Sequence, residues 1–217
     1  MAVTGLILLV FVIGHMLGNL QVFLGRDALN AYAEFLEGTG ELLWAVRAVL
    51  LASLLLHVST AVVLARENRA ARPVRYARED TVQASYASRT MFMTGLIVLA
   101  FLIYHLLHFT LGKVHPQYHE YHEMLDPKGR EDVYTMVVAS FHNVWIAGAY
   151  VLAMVPLCLH IGHGFQSFLQ SLGLNHPRYT PCLRKASVAF GILLFAGNTA
   201  IPLACFFDLV KLPAGSA

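Results

Sequence analysis

Five long apolar runs divide the chain, near residues 1–24, 42–65, 91–112, 142–165 and 185–207, and shorter polar stretches separate them. A helix rises 1.5 Å per residue, so about 20 apolar residues cross roughly 30 Å of hydrocarbon, and each run predicts a membrane-spanning helix. Strands of a membrane barrel would show about ten residues of alternating polarity instead, which these continuous runs do not. The pattern therefore predicts an all-α fold: one integral membrane domain over residues 1–217, with five transmembrane helices. Pro156 and Pro202 fall inside the fourth and fifth runs and predict kinks that neighbouring helices accommodate.

Composition agrees with the pattern. The 217 residues are 57% hydrophobic and 13% charged, with a mean hydropathy of +0.60. A soluble domain of this size would carry about twice as much charge. Charge placement adds an orientation. Arg66, Arg69, Arg72, Arg75, Arg78 and Arg89 follow the second run, and Arg178, Arg184 and Lys185 follow the fourth, making nine of the fifteen basic residues. The opposite side has Arg26, Lys113, Lys128, Arg130 and Lys211, with Arg47 inside the second run. The positive-inside rule then predicts a cytoplasmic N-terminus. The first run lacks a small-residue cleavage site and is followed by further spans, so it does not read as a signal peptide. A net charge of +2 suggests no nucleic-acid partner, and Cys158, Cys182 and Cys205 form no CxxC or CxxCH motif.

An internal repeat brings in chemistry. MAVTGLILLVFVIGH, residues 1–15, matches MFMTGLIVLAFLIYH, residues 91–105, at nine of fifteen positions. Apolar helices share Leu and Ile by chance, so the weight rests on Met1 with Met91, Thr4 with Thr94, Gly5 with Gly95, Phe11 with Phe101 and His15 with His105. The register selects His105 over His108. A weaker echo, LLLHV with LCLHI, pairs His57 with His160.

Position along each span sets depth. His15 and His105 lie in the last halves of helices running outward, and His57 and His160 in the last halves of helices running inward. Two histidines at matched depth on facing helices are what a bis-histidine haem requires, one imidazole nitrogen on each side of the ring. The spacing predicts two b haems: an outer one on His15 and His105, an inner one on His57 and His160. Small residues Gly14, Gly18, Ala61, Gly162 and Gly164 would let the helices approach. The other readings of intramembrane histidines are polar groups bonded across helices, or a haem-free proton relay or transporter.

On these residues the chain resembles the cytochrome b membrane anchor of succinate dehydrogenase and fumarate reductase, in its single-chain, five-helix, di-haem form. The likeness runs through TGLILLVFVIGHMLGNLQVFLG, LHVSTAVVLARENRAARP, ASRTMFMTGLIVLAFLIYHLLHFTLG, DPKGREDVYTMVV and HIGHGFQSFLQSLGLNHPRY. In such anchors a ligand histidine is followed by glycines four and thirteen residues later, here His160, Gly164 and Gly173, which selects His160 over His163. The resemblance implies a prokaryotic cytoplasmic-membrane subunit bound to an iron–sulfur protein that carries a flavoprotein, within a complex that can itself oligomerise. Electrons from succinate would pass through the haems to a quinone, menaquinone in the two-haem form, and this chain would do no chemistry on succinate. The haem subunit of another quinone-linked complex is the alternative within the same chemistry. Related anchors begin with a polar segment before the first span, so a preceding segment is expected here. Some carry a glutamate two residues before the fourth-helix ligand, where this chain has Cys158.

Further residues are candidates for haem propionate or quinone contacts: Arg47, a cation inside a span; Ser88 and Arg89 at the start of the third span; and His108 and His163, one turn beyond the ligand positions. The resemblance adds Glu37, in the first outer loop, as a participant in quinol chemistry. HPQYHEYHEMLD, residues 115–126, reads as a solvated outer cap, although His119 and Glu123 would share a helical face able to hold a metal.

Overall fold

The computed structural model describes residues 1–71, 74, 85–174 and 176–213. Arg72, Arg75 and Arg78 of the basic segment lie outside these residues. Among the described residues there are eight α-helices and no strand, with one isolated bridge between Leu125 and Glu131. Five helices are long and apolar enough to cross a membrane. They are α1 (Ala2–Asn19, continued by a 3-10 turn to Leu24), α3 (Glu41–Ala70), α4 (Tyr86–His105, continued by a π-helical turn, Leu106–Thr110), α7 (Val144–Ser171) and α8 (Thr180–Phe206). The chain is thus a multi-pass membrane bundle. We call the end bearing the 70–86 and 171–180 connections inner and the opposite end outer.

The helices α3, α4, α7 and α8 run about one and a half turns further at the inner end than the apolar runs. Hydropathy stops at the hydrocarbon edge, but the Arg, Glu, Lys and Gln residues beyond it remain good helix formers. At the start of α4 the Ser85 hydroxyl accepts from the Ser88 amide at 3.1 Å, closing an N-terminal cap. Pro156 and Pro202 lie inside α7 and α8.

The two least buried spans show what replaces hydrophobic packing in a bilayer. The buried residue of α3 is Ser53 and that of α4 is Thr94, while apolar side chains such as Leu51, Leu55, Leu56, Val63 and Leu96 face outward. Lipid tails solvate apolar side chains as well as a neighbouring helix does, so small and polar residues mark the interfaces.

The outer end is built differently. Segments expected as loops fold into α2 (Arg26–Gly38), α5 (Pro116–Glu123) and α6 (Val133–Phe141). Gly25 (φ 99°) and Gly40 (φ 54°) bracket α2 with backbone conformations that favour glycine. Every residue of α6 from Tyr134 to Phe141 is buried, against Val22, Leu29, Ile146, Tyr150, Ile201, Ala204 and Cys205. This outer cluster is the protein's main core.

A buried polar network closes that core; of the 115–126 cap it takes in Asp126, while no residue of α5 is buried. Asp126 and Asp132 are buried beside Asn30, which is fully buried. Arg26 donates to Asp132 at 2.6 and 3.1 Å, and Arg130 donates to Asp126 at 2.6 and 2.9 Å. The Asn30 amide donates to Asp132 at 2.9 Å and accepts from the Tyr134 amide at 2.9 Å. Asp132 also caps α6 by accepting from the Thr135 amide. Two buried carboxylates thereby obtain the charged and amide partners that burial demands.

Candidate functional site

The four histidines of the two sequence echoes come together in two pairs. The rings of His15 on α1 and His105 on α4 have centroids 5.7 Å apart, and those of His57 on α3 and His160 on α7 are 6.3 Å apart. His15 is exposed and the other three are half-buried. The first pair lies toward the outer end and the second toward the inner end, since each histidine sits in the second half of its span.

Each repeated helix serves both pairs. Phe11 stacks on His15, one turn away, with centroids 5.4 Å apart, and Phe101 lies 6.0 Å from His105 in the same register. The other repeated residues serve histidines on different helices. The Thr4 hydroxyl oxygen lies 3.3 Å from His57 Nδ1, and that of Thr94 lies 3.3 Å from His160 Nδ1. A methyl carbon added at Gly5 would stand 3.2 Å from His57 Cε1, and one at Gly95 would stand 3.2 Å from His160 Cε1. Glycine therefore lets each inner ring lie against the neighbouring helix. The sequence comparison found Thr4, Gly5, Thr94 and Gly95 as matches, but not as neighbours of His57 and His160.

These residues fit a planar metal-centred group. Two imidazoles on opposite sides of one metal, with metal–nitrogen distances of about 2 Å, have ring centres about 6 Å apart. Both observed separations are close to this. Among the described residues the main packing of these helices lies elsewhere: α1 packs chiefly on α3, α7 and α8, and α4 on α7. The paired rings approach while their helices pack chiefly on others, which is the shape a ring inserted edge-on between helices needs. Of the small residues expected to open this space, Gly14 and Gly164 have no atom of another element within 4 Å of an added methyl. Gly18 instead seats the Tyr32 ring, and Gly162 lies against the Ser187 carbonyl.

His108 differs from all four. It is 2% exposed, within the π-helical turn, and its Nδ1 lies 3.0 Å from the Tyr150 hydroxyl while its Nε2 is buried without a hydrogen-bond partner. The same hydroxyl lies 3.4 Å from His105 Nδ1. Tyr150 thus joins the outer pair to His108, and Tyr104 continues the cluster to His115 at 3.3 Å. Tyr150 was not singled out from the sequence; a lone phenol in an apolar run was the available signal.

The remaining candidates scatter. Arg47 is exposed, with its guanidinium 4.9 Å from the Trp44 ring centroid, an interfacial cation–aromatic contact. Ser88 and Arg89 are exposed on the first turns of α4, and His163 is half-buried on α7. Glu37 lies at the end of α2, not beside a histidine pair. Its carboxylate groups with His122 and Glu131, whose ligand-capable atoms all fall within 4.8 Å. Such a trio could hold a cation, but His122 Nε2 already lies 2.9 Å from Glu131. Burial and the neighbouring Glu131 carboxylate raise the Glu37 proton affinity above the ordinary range. His119 stacks on His122 at 5.3 Å.

No known protein family, curated protein or solved structure matches the chain.

Proposed function

We propose that this chain is the membrane anchor and electron-transfer subunit of a succinate:quinone oxidoreductase, of the succinate dehydrogenase and fumarate reductase type. It would lie in a prokaryotic cytoplasmic membrane with its N-terminus on the cytoplasmic side. The observation that supports this reading is the pair of histidine pairs, each about 6 Å across and at two depths of one bundle.

When bound, a b haem at each pair supplies a one-electron centre, giving a route between an iron–sulfur partner at the inner face and menaquinone. The chain's own residues do the holding. His15, His57, His105 and His160 present imidazoles, which must be neutral to ligate a metal. Gly5 and Gly95 admit the inner rings against neighbouring helices, and Phe11 and Phe101 wall the outer ones. Tyr150 fixes His105 and His108 relative to one another.

Affinity purification of the chain from its native membrane tests the assignment. A flavoprotein and an iron–sulfur protein should co-purify, and the complex should reduce a menaquinone analogue with succinate or oxidise it with fumarate. Purification with the large subunit of a different quinone-linked enzyme would reassign the complex. Purification alone and without haem would favour the proton-relay reading.

A further inference from the structure

The inner pair carries a device that the outer pair lacks. Thr4 and Thr94 occupy equivalent positions of the repeat, and each hydroxyl donates to the carbonyl oxygen three residues earlier: Thr4 to Met1 at 2.9 Å, Thr94 to Met91 at 3.1 Å. A hydroxyl has one hydrogen and two acceptor lone pairs. With the hydrogen directed at the helix backbone, each threonine turns a lone pair toward the imidazole beside it. His57 Nδ1 and His160 Nδ1, both 3.3 Å away, can then be partnered only as N–H donors. A neutral imidazole protonated on Nδ1 has its free lone pair on Nε2.

We propose that Thr4 and Thr94 are positioning residues that hold His57 and His160 as their Nδ1-protonated tautomers, so that both Nε2 lone pairs are available to one metal centre between them. The same arrangement arises twice, from two copies of one helix, acting on histidines of two other helices. Gly5 and Gly95 complete it, because a methyl at either position would crowd the oriented ring. The outer pair has no equivalent. The Tyr150 hydroxyl near His105 Nδ1 also faces His108 Nδ1, so its hydrogen has two competing acceptors and fixes neither tautomer alone. The metal in this proposal rests on the haem reading; the tautomers do not.

The test uses the full chain in lipid nanodiscs, with histidine labelled by nitrogen-15 and the His57 and His160 signals assigned by their loss in His57→Gln and His160→Gln. Thr4→Val and Thr94→Val keep side-chain volume and remove the hydroxyl, whereas Thr4→Ser and Thr94→Ser keep the hydroxyl. In haem-free protein the wild type and serine variants should show Nδ1-protonated His57 and His160, and the valine variants a mixture of tautomers. In haem-loaded protein the valine variants should bind the inner haem about 10- to 100-fold more weakly, the usual cost of losing a ligand's hydrogen-bond partner. The inner-haem low-spin resonance should shift, the outer one should stay, and serine should restore both readouts. Nε2-protonated histidines in the wild type would overturn the proposal, as would valine variants with wild-type tautomers and affinity. A chain that takes up no haem would refute the haem reading alone, and the tautomer spectra would still decide the role of the threonines.

Discussion

The inner and outer histidine pairs are both served by the repeated helices α1 and α4, yet they are held by different means. At the inner pair, orientation comes from hydroxyls and glycines on neighbouring helices, and two of the spans there, α3 and α4, bury only Ser53 and Thr94. At the outer pair, orientation comes from aromatic rings on the ligand's own helix and from Tyr150, beneath a core sealed by ion pairs. A duplicated sequence can thus place its histidines symmetrically while the two ends acquire different stability and different responses to solvent.

The largest effect should come from removing a ligand. His57→Ala or His160→Ala should abolish the inner haem and leave the outer, and His15→Ala or His105→Ala should do the reverse, each lowering haem from two to one per chain. His108→Ala should retain both. Loss of a haem in His108→Ala but not in His105→Ala, by haem quantitation, would break the pairing.

Next comes the outer seal. Asp132 is buried against Arg26, Asn30 and the α6 amide, and removing one partner of a buried ion pair costs about 3–5 kcal/mol. Asp132→Ala should therefore loosen the outer end, seen as faster amide exchange in α2 and α6 and preferential loss of the outer haem. Equal loss of both haems would mean that the two ends are not independent.

Tyr150→Phe is smaller, about 1–3 kcal/mol, because it leaves His108 Nδ1 buried without its partner. The outer-haem potential should move and the inner should not, by redox titration followed optically.

The smallest effects are those of pH, and they too should be confined to the outer end. Burial works against ionisation of Asp126, but the Arg130 guanidinium and the Arg130 and Lys128 amides outweigh it and hold the carboxyl well below the usual range. Its stabilisation is present above the ordinary carboxylate range and is lost as pH falls through that depressed value. Glu37 has the opposite sign: its contribution is present at low pH and is lost as pH rises through its raised value and a desolvated negative charge appears on it. Amide exchange in α2 should therefore rise on strong acidification, and also above the Glu37 transition. Glu37→Gln should remove only the second change; an unchanged second rise would place its origin elsewhere.

The spans and the histidine pairing were legible because hydropathy and depth are one-dimensional properties of a helix. The inner-pair contacts were half-legible: Thr4, Gly5, Thr94 and Gly95 stood out as matches, but their partners lie on α3 and α7, and a self-comparison of α1 with α4 does not reveal them. Asp126 and Asp132 look like ordinary loop acids until α2 brings Asn30 and Arg26 over them, since burial is decided by the tertiary partner. In the sequence His108 is a candidate propionate contact one turn beyond His105, and the structure buries it, within the π-helical turn, more fully than any of the paired histidines. Glu37 was placed with the quinol chemistry by resemblance, and its nearest acidic and imidazole neighbours are Glu131 and His122.

The most direct test of the whole account is the dithionite-reduced minus oxidised spectrum of the purified full chain, with haem quantified per chain. The account predicts b-type bands and two haems per chain, resolved as two steps on redox titration. A colourless chain, or one that binds a single haem insensitive to His57→Ala and His105→Ala alike, would contradict it.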